Sequence, residues 1–239
     1  MKPNTKIITD LREKGRSQDG KPMSFDKRLF MQFFAFGKCR DNSAIVDELE
    51  QENIEGVIYE DINDPQGIGL LTFSEDPDFF VTKLRKTLNK KTFSSLSIKQ
   101  EYTMLGRTYS LGHEQNIEDW LIKRPRRIVL NHDHSWAVWY PLRRSGEFSA
   151  LSRGEQTQIL KEHGAIGHSF GEAGFAKDIR LACYGLNKKD NDFVIGLIGK
   201  ELFPLSILVE SMRKTKQTST YIQNMGPFFI GKAFWQSSL

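Results

Sequence analysis

The feature that most restricts what this chain can fold into is that its order of elements is written twice. The first pass opens on LFMQFFAF (29–36), which reads as a buried strand, and continues with SAIVDELEQE (43–52), an amphipathic helix, and EGVIYEDI (55–62), a second strand. The turn NDPQG (63–67) gathers Asn, Asp, Pro and Gly ahead of GIGLLTF, so these two strands are expected to form a hairpin. DPDFFVTKLRKTL (76–88) opens with an Asp-Pro helix signal, and IKQEYTMLGRTYSL (98–111) returns as a strand. The assignments rest on apolar spacing, period two for strands and about 3.6 for helices.

The second pass runs HSWAVWYPL (134–142), a strand; SRGEQTQILKEHGAI (152–166), a helix opened by a Ser152–Glu155 capping box; and KDIRLACYG (177–185), a strand. After the turn LNKKDN come the strand DFVIGLIG (192–199), the helix LFPLSILVESMRKT (202–215) and the strand IQNMGPFFIGKAF (222–234). Both passes read βαββαβ, and the words FFVTKLRKT (79–87) and ILVESMRKT (207–215) close the second helix of each. This is the pattern of a duplicated ferredoxin-like unit. Each unit is an antiparallel sheet with helices on one face only, so its bare face needs a cover. Two units from one chain packed sheet to sheet supply it, an α+β fold of the dimeric α+β barrel type. The expected layout is a polar N-terminal arm over 1–24, mobile or hugging the surface, with order from about Phe25. A half over 25–115, a linker over 116–133 and a second half over 134–239 complete it.

A chain of 239 residues, 38% hydrophobic and 27% charged, can build a real core. No apolar run is long enough to span a bilayer, and MKPNTKIITDLREKGR lacks the apolar stretch of a secretory signal, so a cytoplasmic location is expected. Cys39 and Cys183 have no CxxC spacing and read as reduced, buried thiols. The net charge of +4 comes from scattered clusters, LRKTLNKK (84–91), KRPRR (123–127) and MRKTK (212–216), without an RNA-binding aromatic signature. Nucleic acid is therefore not an expected partner, whereas a small polyanion suits these charges.

Few residues stand out chemically. In KEHGAIGH (161–168), His163 shares the stripe of Ile159 and Ile166 at helical spacing, whereas His168 reads as lying past the helix in solvent. An imidazole on an inward stripe either has both nitrogens hydrogen-bonded or offers one to a metal, and the residues alone leave both readings open. Gly164 and Gly167 reduce bulk beside it, as the approach of a flat ligand would require. The spacing of His132 and His134 could put both rings on one strand face, but no third zinc ligand is evident. No GxSxG elbow is present.

Three stretches, WYPLRRSGEFSALSRGEQTQILKEHGAIG, CYGLNKKDNDFVIGL and SMRKTKQTSTYIQNMGPFFIG, together resemble in order and spacing the chlorite dismutase superfamily of haem proteins. Within it they are most similar to the coproheme decarboxylases. The strong similarity spans roughly 134–232; the first half matches by element order. The resemblance implies a homo-oligomer, usually a pentamer, with haem or iron-coproporphyrin III in the second half and His163 as iron ligand. It implies Tyr140 as the radical-forming tyrosine, Arg144 near the porphyrin carboxylates, and Arg213 and Thr218 holding a propionate. Arg107 and Tyr109 match loosely as further contacts. The implied reaction is peroxide-dependent decarboxylation of coproheme to haem b. A haem peroxidase or chlorite-decomposing enzyme, and a non-catalytic haem carrier or sensor, are the alternatives. Taken singly, Tyr140 also reads as a strand aromatic in the core, and Arg213 as a surface residue at a helix C-terminus.

Two departures from the family pattern bear on the chemistry. The position facing the open side of the iron is Asp178, with Arg180 on the same strand face by the period of two, and either could take that role. The carboxylate that pairs with the iron-ligating histidine in chlorite dismutases corresponds to Ile198, so the push on the histidine is missing, which favours decarboxylation.

Overall fold

A computed structural model describes residues 9–238. The chain opens with a hairpin of β1 (Glu13–Arg16) and β2 (Pro22–Phe25). The Arg16 amide donates to Glu114 O at 2.9 Å and the Lys14 amide to Ser110 Oγ at 3.2 Å, which ties the hairpin to the body. Order thus begins before Phe25, a correction to the expected arm; residues 1–8 lie outside the described residues.

The first half contains β3 (Phe30–Gly37), α1 (Asn42–Gln51), β4 (Gly56–Asp61) and β5 (Ile68–Ser74). Where one helix was expected over 76–88, three short ones stand: α2 (Asp78–Val81), α3 (Lys83–Leu88) and α4 (Lys91–Ser94). The break falls at Thr82, whose ψ of −89° is not helical. The expected strand 98–111 reduces to β6 (Ser97–Ile98) and β7 (Met104–Arg107), split by a 3₁₀ turn at Gln100–Tyr102.

The expected linker is structured. Asp119–Lys123 forms a π turn that leads into α5 (Arg124–Val129), and Leu121, Ile122, Ile128 and Val129 enter the main core. The stretch 116–133 is hence part of the packed body, because its apolar residues recur at helical spacing and are buried.

The second half contains β8 (Trp136–Arg144), α6 (Gly146–Ala150), α7 (Arg153–Glu172), β9 (Lys177–Ala182) and β10 (Phe193–Gly199). It ends with α8 (Leu202–Arg213), α9 (Lys216–Tyr221), β11 (Ile222–Met225) and β12 (Phe229–Gln236). The expected strand 222–234 is divided at Gly226, whose φ of +101° suits glycine alone.

The strands close on themselves. Within the first half the order is β7-β3-β5-β4, and within the second β12-β8-β10-β9, all antiparallel. The halves meet at β4–β12, laddered from Val57 to Asp61, and at β7–β9, where Arg107 pairs Ala182. The result is one closed barrel with the helices outside, which leaves no open sheet edge between the halves. Alternation sorts the side chains. Met31, Phe33, Tyr59, Trp139, Ile198 and Phe229 fill the barrel, while Val138, Tyr140 and Leu142 point outward beneath the helices of the second half. Each large apolar side chain buried in this way contributes about 1.5–3 kcal/mol of transfer free energy.

Candidate functional site

The site is assembled on the outward face of the second half, between β8–β10–β9 and helices α7 to α9. The Ser152–Glu155 capping box starts α7, as the sequence reads. The helix runs past the expected end at residue 166 to Glu172, so His163 lies in its interior and His168, still exposed, is helical too. Ile166 and Phe170 pack onto the outward core, and that burial offsets the roughly 1 kcal/mol cost of each helical glycine. On the inward stripe Ile159, His163, Ile166 and Phe170, only Ile159 is fully buried.

His163 Nδ1 lies 3.3 Å from Thr215 Oγ1. That hydroxyl donates its single hydrogen to Met212 O at 2.8 Å, so towards the ring it can only accept. Nδ1 therefore carries the ring proton and Nε2 keeps a lone pair. Burial, reinforced by the positive charges of Arg144 and Arg180, pushes the His163 pKa down to about 4 and keeps the imidazole neutral. A neutral imidazole with a free nitrogen is a metal ligand in waiting.

Tyr140 projects outward from β8 with 4% of its surface exposed and stacks on Phe228, ring centroids 4.4 Å apart. Burial raises its phenol pKa far above the usual value, against a counter-pull from Arg213. The Arg213 guanidinium lies 5.7 Å from the centre of the Phe228 ring. At the end of the same strand, the Arg144 guanidinium lies over Phe148 and Phe193, at 4.5 and 4.9 Å. Its Nε is buried without a hydrogen-bond partner among the described residues, as are Ser145 Oγ and Gln217 Oε1 nearby in the chain and on α9. A buried guanidinium nitrogen left unpaired costs free energy that an incoming acceptor, a carboxylate above all, would recover.

The remaining wall is β9. Asp178 and Arg180 share its outward face as the period of two requires, and Arg180 Nε reaches Asp178 Oδ2 at 2.9 Å. Arg124, from α5, holds Asp178 Oδ1 and its carbonyl, both at 3.1 Å, and lies over Trp120. Tyr109 packs against Phe193, and burial raises its pKa.

The structure thus brings together His163, Tyr140, Arg144, Arg213, Asp178, Arg180 and Tyr109. Thr218 stands at the edge, its hydroxyl 3.4 Å from that of Thr215. Arg107 is not brought in; Glu13 of the N-terminal hairpin holds it at 3.1 Å. Ile198 faces the barrel interior rather than α7, so it is not the neighbour of His163. That neighbour is Thr215, which the sequence reading missed, along with Phe228, Trp120 and Arg124. Only Phe228 carried a signal, as one of the two aromatics of GPFF following a strand. His132 and His134 fall in a turn before β8, not on a strand, so the shared-face argument fails.

The family model for chlorite dismutase matches residues 69–234. Among solved structures, a chlorite dismutase from Candidatus Nitrospira defluvii in complex with imidazole is 14% identical. It has a TM-score of 0.66, with 87% of this chain and 92% of that one covered. A heme-binding protein from Thermus thermophilus is 17% identical with a TM-score of 0.65, covering 87% and 91%. No curated protein sequence matches the chain.

Proposed function

Since this chain belongs to the chlorite dismutase family, we propose that it is a haem-dependent oxidoreductase that uses hydrogen peroxide to decarboxylate two propionates of iron-coproporphyrin III, yielding haem b. The residues present fit such a group. Among the described residues no cluster of three or more His, Cys, Asp or Glu is built for a bare metal ion. A porphyrin would bring its own ring nitrogens, and His163 Nε2 would be the residue to hold its iron. The unpaired Arg144 Nε gives one of its carboxylates a partner.

When bound with peroxide, the iron supplies the oxidation, one peroxide for each carboxylate that leaves as carbon dioxide while a vinyl group forms. The chain's residues do the rest. Thr215 Oγ1, a neutral acceptor, fixes the His163 ring and adds no anionic push, as suits a ligand that must let its product go. Arg144, Arg213 and Thr218 orient the propionates. Tyr140 Oη, whose raised pKa keeps it protonated, would give a proton and an electron to the oxidant that iron and peroxide supply, and would recover a hydrogen atom from a propionate side chain. Phe228 and the burial of the phenol keep water from that radical.

The observation that supports this reading most is Tyr140 itself, a buried phenol within electrostatic reach of the proposed propionate anchor Arg213. A chlorite-decomposing enzyme is the second reading, for which Arg180 speaks; yet Asp178 already engages that guanidinium. Tyr140→Phe separates the readings. Coproheme binding should persist with an unchanged titration curve, while the yield of divinyl product falls at least a hundredfold. Undiminished product would remove Tyr140 from the chemistry, and oxygen release from chlorite at high turnover would select the rival.

We further propose a homo-oligomer, a pentamer by family resemblance, acting in the cytoplasm. Exposed apolar side chains such as Phe203, 72% exposed, fit a subunit contact; a monomer by sedimentation would refute it. Among the described residues no helix is long and apolar enough to cross a membrane.

A further inference from the structure

A cleft of about 470 Å³ lies away from this site, on the first half. It sits between the outward face of β3 and helices α2 to α4, with Phe34, Phe80, Leu88, Phe93 and Ile98 among its walls. The volume falls within the roughly 300–1,000 Å³ typical of small-molecule pockets, and the lining, apolar with few polar groups, is of the same kind. We propose that this cleft binds an amphipathic carboxylate, an apolar body with one anionic head, without any metal.

Five observations carry the proposal. Arg85 is the one charged residue in the lining, and among the described residues it makes no ion pair. In the repeated word that closes the second helix of each half, Arg85 of FFVTKLRKT stands where Arg213 stands in ILVESMRKT. The duplication thus supplies each half with an arginine at the same point beside its outward face. Next, the Gln32 side chain, half-buried in the wall, makes no hydrogen bond among the described residues and can serve the same head group.

The lining also contains no acid to repel an anion and no His, Cys, Met or Tyr to ligate iron, so a ligand must be held by burial and one charge. Finally, the halves differ where it matters. α8 runs unbroken over Leu202–Arg213, whereas its counterpart breaks at Thr82 into α2 and α3. At the break Val81 is left 64% exposed on the rim. That exposed side chain adds apolar surface at the rim that an alkyl chain or flat ring can cover.

The shared chemistry is apolar body plus carboxylate; the source is either an alkyl acid or a metal-free porphyrin. The intact chain is titrated calorimetrically with decanoate, with 1-decanol and with metal-free coproporphyrin III, as wild type, Arg85→Glu, Ile98→Trp and His163→Ala. Arg85 and Ile98 are exposed enough for their variants to fold. Either acid should bind saturably. Its dissociation constant should rise at least tenfold in Arg85→Glu and in Ile98→Trp and stay unchanged in His163→Ala, while 1-decanol ignores Arg85→Glu. Decanoate binding identifies the alkyl source and coproporphyrin binding alone the ring source. Absence of saturable binding, equal affinity in Arg85→Glu, loss of binding in His163→Ala, or a cleft sealed by a second copy of the chain would each overturn it. The decanoate and 1-decanol outcomes do not depend on what the second half binds, and coproporphyrin counts for this cleft only in the binding that weakens in Arg85→Glu.

Discussion

Arg144 shows how one side chain can be positioned for something other than stability. Its guanidinium is stacked between aromatic rings with Nε buried and, among the described residues, unpaired, an arrangement that costs the ligand-free chain and gains when an acceptor arrives. Arg144→Met should leave the urea midpoint of the ligand-free chain unchanged or higher. Coproheme should bind about 10- to 100-fold more weakly, the worth of a charge-assisted hydrogen bond of about 1.5–3 kcal/mol. His163 makes a second prediction, in pH. Its folded pKa of about 4 lies below the ordinary histidine value, so between the two the unfolded chain binds the extra proton. The stability it contributes is fully present above the ordinary value and is lost as pH falls through about 4. In urea melts from pH 7 to 4, His163→Asn should flatten that loss; an identical slope in both proteins would contradict the assignment. The stripe Ile159–His163–Ile166 made His163 legible in the sequence, because one helix carries the whole pattern. Thr215 was not legible, since its contact crosses 52 residues to a different element. The Ile198 correspondence failed for a related reason. β10 is apolar on both faces, so its pattern does not tell inward from outward, and only the barrel decides.

At the level of elements, local signals marked beginnings better than ends. The Ser152–Glu155 box starts α7 where it was read, but Gly164 and Gly167 do not stop the helix, because Ile166 and Phe170 are held by tertiary contacts beyond them. A Cβ at Gly167 would meet Met212 Cε at 3.4 Å, whereas one at Gly164 meets nothing within 4 Å. Gly164→Ala should accordingly stabilise the ligand-free chain by about 1 kcal/mol in urea titrations. It should also weaken coproheme binding if the missing methyl is what lets a flat ring lie beside His163. Stabilisation without loss of binding would assign that glycine no part in recognition. In 116–133 the KRPRR cluster masks the apolar residues on either side, and those residues join the core through tertiary contacts that the local pattern does not show. Thr82 and Gly226 broke elements whose hydrophobic pattern is continuous, since backbone dihedrals leave no mark on apolar spacing.

For the whole molecule, the doubled βαββαβ order was enough to give the architecture, because a bare apolar sheet face must find a cover and the chain carries its own. What the order could not give is the manner of closure: a full ladder between β4 and β12, and a single pair between β7 and β9. That thin seam carries Arg107 and lies beside the N-terminal hairpin, which explains why a loosely matched porphyrin contact is instead held by Glu13. The same duplication gives the molecule two outward faces beneath helices, of which the second gathers an imidazole, a buried phenol and unpaired cationic donors. The proposed function stands or falls on whether that face performs oxidative decarboxylation. Its most direct test is to load the full chain with iron-coproporphyrin III, add hydrogen peroxide in measured equivalents, and weigh the porphyrin by mass spectrometry. The account predicts a three-propionate species at one equivalent and the divinyl product, haem b, when two have been consumed; a porphyrin that is bleached or keeps all its carboxylates would contradict it.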